Sequence, residues 1–444
     1  MTEPSLPFNE DFAESCQSKG MSIGGASCSA SDGTIEVFNP ASGQVWAKAP
    51  DATRDDARAA ACLPLGETVP SDPLKTSIVE RHPLGVVTVS SRRNVPLLLS
   101  GRGKGAALAV GNAIVLDLSE ETPVAGGLTI AEVFKVAGFP PGVLNLVTCS
   151  RENVAEAGDE LVPNPKVRAI SFTSSTAVGQ SIAGGAGSLL NEACVELGGK
   201  DSLIVLNDAD LDAAVKAARR GACFHQGQIC NSAERIIVDR KPEDGFMTRF
   251  VAATKKPKVG DPARMENQIG PMINETQARR VDMRLAQARV DGVEFHAGGT
   301  RDGLYYQPTV ITGATPAMEI FHEEVFGPVA NIMLADGEDE AIAHANSFKC
   351  GLSASVITQD EERGLAVARR IESGMAHVAD TTIHDEPTIP FGGARSSGPG
   401  RQGGRRSVET FTATRCLTVE SGDRKPRSRR PQWTIGKTGC CCAN

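Results

Sequence analysis

The sequence predicts an α/β fold with two parallel-sheet, Rossmann-like domains, and three observations carry that expectation. At 444 residues the chain exceeds what one hydrophobic core ordinarily serves. Short apolar, strand-like runs alternate with helical patterns through the first half, as in a parallel sheet with crossover helices. The second half repeats the same alternation, with no internal repeat of fixed period.

Taken in order, residues 1–33 are rich in Ser, Gly, Glu and Asp and read as a loose leader. Thr34–Phe38 alternates like a strand, Asn39-Pro40 turns the chain, and residues 44–49 form a second strand. An amphipathic helix starts at Thr53, with Asp55 and Asp56 in its first turn. Residues 74–80 and 82–90 read as strands around Arg81. Residues 95–110 are apolar with small residues at helical spacing, 112–116 is a buried-strand run, and 123–137 is a helix. Strands at 142–148 and 167–173 flank another helix. Beyond them come a strand at 202–206, a helix at 210–222, a strand at 235–238, and a strand at 355–358 before a helix at 360–373.

Composition narrows the function. A formal net charge of −8 gives no reason to expect a nucleic-acid partner. No apolar run reaches membrane-spanning length, and the first twenty residues are polar and acidic, unlike a secretory signal. Most of the 12 cysteines are scattered singly without metal-ligand spacing, which predicts a reducing compartment, the cytoplasm, and no metal. Residues 421–444 stand apart, with Arg424, Lys425, Arg427, Arg429 and Arg430 before Cys440-Cys441-Cys442. They read as a disordered tail. The alternative is a lipid anchor, since a basic run plus terminal cysteines supplies two membrane signals; only such lipidation would bring the chain to a membrane.

The chemistry centres on Phe224-His225-Gln226-Gly227-Gln228-Ile229-Cys230, with Glu196-Leu197-Gly198-Gly199-Lys200 upstream. A cysteine after a Gly/Gln-rich bend can be a nucleophile held on exposed backbone N–H groups. A lone cysteine is more often a small buried hydrophobe, and a lone glutamate a solvated or paired carboxylate. The glycines at 101, 103 and 105 do not follow a strand as a phosphate loop must.

The wording around the pair goes further. Glu196 to Lys200, Asp208-Ala209-Asp210-Leu211-Asp212, Gly227-Gln228-Ile229-Cys230, Glu323-Glu324-Val325-Phe326-Gly327-Pro328 and Pro390-Phe391-Gly392-Gly393 occur in the order of the aldehyde dehydrogenase superfamily, whose active-site region they resemble. Residues 375–387, the stretch Ser397-Gly398-Pro399-Gly400-Arg401 and the run ending in Cys230 are similar to its benzaldehyde, vanillin and salicylaldehyde dehydrogenase branch. The resemblance covers about residues 34–420.

That resemblance implies an NAD-binding domain at 34–72 and 88–198, a catalytic domain at 199–400, and a β-arm at 73–87 and 407–420. The arm, including a strand at 407–419, would complete a neighbour's sheet, so a homodimer or homotetramer is expected. The implied activity is NAD-dependent oxidation of a small, aromatic aldehyde to the acid through a cysteine thiohemiacetal and thioester. Cys230 is the implied nucleophile, with its own N–H and the amide of Asn94 holding the oxyanion. Glu196 is the implied base, its pKa helped upward by burial near Val195 and Leu197. Without the family, Asn94 reads as a turn residue before Pro96.

For the cofactor, Phe172-Thr173-Ser174-Ser175-Thr176-Ala177-Val178-Gly179 matches the family's pyrophosphate-binding helix start, with Ser175 and Gly179 in place; taken alone it is a Ser/Thr helix cap. Leu197 and Gly198 are assigned to the same site. Glu324 and Phe326 match residues that hold the nicotinamide ribose and pack on the ring; otherwise they read as a surface charge and a core aromatic. Glu120 and Asp117 fall near the adenine ribose, where carboxylates favour NAD over NADP. Phe224, Ile383 and His384 are implied near the substrate tunnel, His384 being equally a bonded loop histidine.

The chain also departs from the family pattern. Two or three helices are missing after Cys62. Arg92 stands for a proline, Arg93 for a tryptophan, Ser174 for a glycine, Asp117 for a lysine and Ala379 for an asparagine. Charges in an apolar wall are costly unless paired. The alternative expectation is therefore a catalytically impaired pseudoenzyme with a binding or structural role.

Overall fold

A computed structural model describes residues 75–150 and 152–420, together with the backbone of strands at 21–23, 26–28, 34–38, 45–50 and 66–69. The expected helix at Thr53, the shortening after Cys62 and the basic, Cys-rich tail lie outside the described residues. Within the expected leader, Met21–Ile23 pairs antiparallel with Ala26–Cys28. Thr34–Phe38 pairs antiparallel with Val45–Pro50, as the turn signal between them requires.

Five parallel strands form the first sheet: Val86–Ser91 (β1), Ala113–Leu118 (β2), Leu144–Thr148 (β3), Val167–Ser174 (β4) and Glu192–Leu197 (β5), in the order β5-β4-β1-β2-β3. Val167, Ile170, Phe172, Val195 and Leu197 make one core cluster of this sheet. The second sheet has seven strands: Asp201–Val205 (β6), Ala233–Asp239 (β7), Glu294–Ala297 (β8), Thr309–Thr312 (β9), Val329–Ala335 (β10), Ser353–Ile357 (β11) and Met375–Val378 (β12). Their order is β8-β9-β10-β7-β6-β11-β12, parallel except for β8 against β9. Strands β6 and β7 are buried along their whole length, so Leu203–Val205 and Ile236–Val238 read as apolar runs without alternation, while the buried Glu234 and Arg235 need partners. Phe246 and Phe250, stacked at 5.3 Å, cover one face from helix Glu243–Thr254.

The two expected domains are two sheets of one compact unit, residues 83–150 and 152–412 among those described. The second unit contains Gly66–Val69, most of Lys75–Pro83 and most of Thr412–Glu420, joined in one three-stranded sheet. Two boundaries of the expected arm move. Val86 and Val87 belong to β1, and residues 407–410 lie in helix Gly404–Thr410, so the arm's last strand starts at Thr412. The helix expected at 123–137 opens with a wide i→i+5 turn, Val124–Leu128, before Thr129–Val136; Gly126 and Gly127 lie against Leu118 there. The helix expected at 360–373 ends at Ala368. No described helix is long and apolar enough to cross a membrane.

Strands β4 and β5 end together, with Ser174 paired to Leu197, and so do β1 and β2, with Ser91 paired to Leu118. Their carboxyl ends are where an open parallel sheet places ligands. From the second sheet a loop at 323–327 is fixed by a buried ion pair. Lys200 Nζ lies 2.6 Å from Glu234 Oε2 and donates to the Glu323 carbonyl at 2.8 Å, while Val325 N and Phe326 N donate to Glu234 at 2.9 Å. Glu234→Leu leaves Lys200 charged and alone, and should destabilise the protein by about 3–5 kcal/mol in chemical denaturation. The double variant Lys200→Met/Glu234→Leu removes the uncompensated charge but leaves Val325 N and Phe326 N without their acceptor, so it should recover only part of that loss.

Candidate active site

The bend before Cys230 is built by a helix that stops abruptly. Helix α3 (Leu211–Cys223) is capped by Asp210, which accepts from Asp212 N and Ala213 N. Three left-handed residues follow, His225, Gln226 and Gly227, with φ of 51°, 56° and 65°. Two are not glycine, so the surroundings must hold them. They do. His225 Nε2 donates to the Asn94 carbonyl at 2.6 Å, Asn94 Nδ2 donates to the Gln228 carbonyl at 3.0 Å, and Ile273 N donates to Gln228 Oε1 at 3.1 Å. Asn94, expected for the oxyanion, is thus tied to the bend at two points. Its amide nitrogen has a second N–H beyond the bond to Gln228.

Cys230 is half-buried against Leu352, Met375 and Phe391. Burial pushes its thiol up to about 12, with Arg102 opposing and Glu196, Asp201 and Glu324 reinforcing the shift. Glu196, near the end of β5, is 2% exposed. Burial raises its carboxyl to about 7 against the pull of Arg102. Arg102 Nη1 lies 3.3 Å from Glu196 Oε2, its guanidinium lies 3.9 Å from the Phe391 ring centroid, and it also pairs with Asp385. Glu196 Oε1 is buried with no hydrogen-bond partner among the described residues. A carboxyl near pH 7 with one open oxygen is suited to accept a proton from water.

The sequence reading missed Arg102. The glycine-rich stretch at 101–105 lies mid-helix, in α1 (Pro96–Ala109), and is no phosphate loop. The usable signal was a lone arginine in an apolar helix that must bury one face, since a buried charge needs a partner.

A cleft of about 1120 Å³ lies at the carboxyl ends of β1, β2 and β4, lined by Asp117, Glu120, Ser175, Gly198, Glu324 and Phe326 among others. Six of the eight expected cofactor residues meet there. Asp117 Oδ2 accepts from Ser90 Oγ at 3.1 Å, while Oδ1 is buried with no partner and burial raises the carboxyl. Ser175 begins helix α2 (Thr176–Ser188) without a side-chain cap, so the first N–H groups are not taken by its hydroxyl. Burial, then Glu234, pushes Glu324 up to about 7, with Arg92 opposing. An added Cβ at Gly198 would sit 2.6 Å from Glu324 Oε2, so glycine is needed there for space. An orphaned carboxylate oxygen, an uncapped helix start and this volume fit a dinucleotide.

Gly179 and Leu197 do not line this cleft. A Cβ at Gly179 would come within 2.2 Å of Leu197 Cδ2, so their role is close packing of α2 on β5. The charges that replace an apolar wall are paired. Arg92 Nη2 donates to Ser174 Oγ at 3.1 Å, and Arg93 lies 3.7 Å from Glu121 Oε1 and donates to Gln277 Oε1 at 3.4 Å.

None of the expected substrate residues lines the cofactor cleft. Phe224 is 47% exposed beneath Arg220, 4.7 Å from ring centroid to guanidinium. His384 faces Asp380 at 3.5 Å and Glu386 at 3.6 Å, and with His377 it lines a different cleft of about 1010 Å³ that does not include Cys230. Ile383 lines neither cleft, although the loop carrying it reaches Arg102 through Asp385. Local spacing could not separate a loop histidine held by carboxylates from one facing the nucleophile.

Gly227 is the most constrained point of the bend. A Cβ there would lie 2.1 Å from the Gly327 carbonyl oxygen, at positive φ. Gly227→Ala should therefore destabilise the protein by about 2 kcal/mol or more, visible as a lowered thermal midpoint.

The sequence pattern of the Aldehyde dehydrogenase family matches residues 61–417. The vanillin dehydrogenase of Pseudomonas fluorescens is 40% identical over 360 residues, covering 81% of this chain and 74% of that protein. A benzaldehyde dehydrogenase (NAD+) of Pseudomonas putida is 42% identical over 361 residues, covering 81% and 73%. Among solved structures, a salicylaldehyde dehydrogenase from Pseudomonas putida G7, complexed with salicylaldehyde, matches with a TM-score of 0.79 and 32% identity over 91% of this chain and 99% of that one.

Proposed function

This chain belongs to the aldehyde dehydrogenase family, and we propose that it oxidises an aromatic aldehyde to the carboxylic acid with NAD as acceptor. The observation that carries the reading is Glu196, a buried carboxyl lifted to about 7 and in electrostatic reach of Cys230. The aromatic substrate class is supported by the names of the relatives and by the apolar wall of Leu352, Met375 and Phe391 around the thiol. The carboxylates of Asp117 and Glu120 support NAD over NADP, because they repel a 2′-phosphate. The mostly exposed strand Thr412–Glu420 supports a homodimer or homotetramer, since such an edge calls for pairing. We place the enzyme in the cytoplasm. The five-stranded sheet is assigned to the cofactor and the seven-stranded sheet to the nucleophile. Arg92 is hydrogen-bonded to Ser174 and Arg93 is ion-paired with Glu121, so these two departures give no support to the alternative of a silent pseudoenzyme.

In this mechanism the Cys230 sulfur, deprotonated, attacks the aldehyde carbon. The oxyanion of the thiohemiacetal is held by the Cys230 N–H and the second N–H of Asn94. Bound NAD supplies the hydride acceptor. Glu196 then takes a proton from the water that attacks the Cys230 thioester, and the acid leaves with the Cys230 thiolate restored; Glu196 and the acid each give up one proton. Aldehyde, NAD+ and water give carboxylate, NADH and two protons.

NADH formation on benzaldehyde and on succinic semialdehyde tests the substrate class. Benzaldehyde should give a kcat/KM at least about tenfold higher, and Cys230→Ala should abolish turnover. Faster oxidation of the semialdehyde would overturn the aromatic assignment. Oxidation of neither, by folded protein that binds NAD, would overturn the reaction.

The pH dependence follows from Glu196. Its base form is the ionised carboxylate, so thioester hydrolysis should fall as pH drops through about 7. Arg102 holds that pKa down, so Arg102→Leu should move the acid limb of kcat to higher pH. An unmoved limb would assign it to another group.

A further inference from the structure

Arg92 is within electrostatic reach of Cys230, but its hydrogen bond and its position are in the cofactor cleft. It follows the last residue of β1 and reaches across to Ser174, the last residue of β4. Its guanidinium carbon lies 5.9 Å from the Phe326 ring centroid, and Glu324 is the leading opposite charge acting on it. Helix α2 begins two residues beyond Ser174, with no side-chain cap on its first N–H groups. A guanidinium carries five N–H donors, and the bond to Ser174 Oγ accounts for one.

These facts converge on one chemistry. An arginine keeps its charge even when partly buried, and its donor fork matches a phosphate. A helix start beside it adds N–H groups and a favourable dipole. The hydroxyl of Ser174 fixes the guanidinium before any ligand arrives, which reduces the ordering loss on binding. Proline and glycine, expected at positions 92 and 174, could form no such contact. The two departures touch each other and act as one device.

We infer that Arg92, oriented by Ser174, binds a phosphate oxygen of the cofactor's pyrophosphate on the nicotinamide side, forming with the start of α2 an anion subsite. The inference rests on the proposed use of NAD. Arg92 is therefore a cofactor-binding residue and Ser174 a positioning residue.

Calorimetric titration of full-length Cys230→Ala and Cys230→Ala/Arg92→Gln with NAD and with adenosine tests it, at low and at high salt. Thermal melting of each variant reports its folding. Loss of Arg92 should raise the Kd for NAD roughly ten- to hundredfold, the effect of one charge-assisted contact, and reduce its salt dependence. Adenosine, which has no phosphate, should bind both proteins equally, and Arg92→Lys should fall between parent and Arg92→Gln. An unchanged or lower Kd for NAD in Arg92→Gln would overturn the phosphate contact while leaving the cofactor reading intact. Equal weakening of NAD and adenosine would also overturn it, as general damage to the cleft. No NAD binding by folded Cys230→Ala would remove the cofactor reading together with the inference.

Discussion

The buried Lys200–Glu234 pair is the constraint on which the rest of the site depends. Both side chains are almost wholly removed from water, at 1% and 4% exposure. Such a pair is sustained only when its donors and acceptors are used. Here they are used on one loop: Lys200 holds the Glu323 carbonyl, and Glu234 receives the N–H groups of Val325 and Phe326. Phe326 adopts a left-handed φ of 54°, a conformation a bulky residue keeps only under such restraint. The loop then turns Glu324 and Phe326 into the cofactor cleft. Its next residue, Gly327, sets its carbonyl against Gly227 in the bend before Cys230. One ion pair therefore positions the cleft and supports the nucleophile's backbone.

A second theme is the treatment of buried carboxyls. Glu196 and Glu324 are both lifted to about 7 by burial, and each is opposed by an arginine, Arg102 and Arg92 respectively. Neither arginine cancels the burial. The result is two carboxyls raised toward neutral pH, both within electrostatic reach of the Cys230 thiol, with Glu324 also lining the cofactor cleft. Arg102 also stacks on Phe391 and reaches Asp385, so the cation that tunes Glu196 is held in place by the loop carrying Asp385.

Much of this was legible in the sequence. The parallel strands were legible because β6 and β7, buried on both faces, each carry a short apolar run, Leu203–Val205 and Ile236–Val238. The motifs placed Cys230, Glu196 and Asn94 together because they occupy fixed ends of neighbouring elements. Gly179 and Leu197 were legible as a pair but not as packing residues. What the sequence hid were contacts between distant segments. Arg102 meets Asp385 across 283 residues, and nothing local to either predicts it. Arg92 and Ser174 read as separate lesions until the register of β1 and β4 brought them face to face. Residues 407–410 were expected as strand from the resemblance, whereas they close helix Gly404–Thr410, which buries Ser407 and Val408.

The central claim is that Cys230 carries the acyl group and Glu196 delivers water to it. Intact-protein and peptide mass spectrometry of Glu196→Gln, mixed with NAD and benzaldehyde and quenched in acid, tests it directly. The account predicts a single burst of NADH, about one per active site, and a benzoyl group accumulating on the peptide that contains Cys230. NADH turnover at the parent rate, or a burst with the acyl group on another residue, would contradict it.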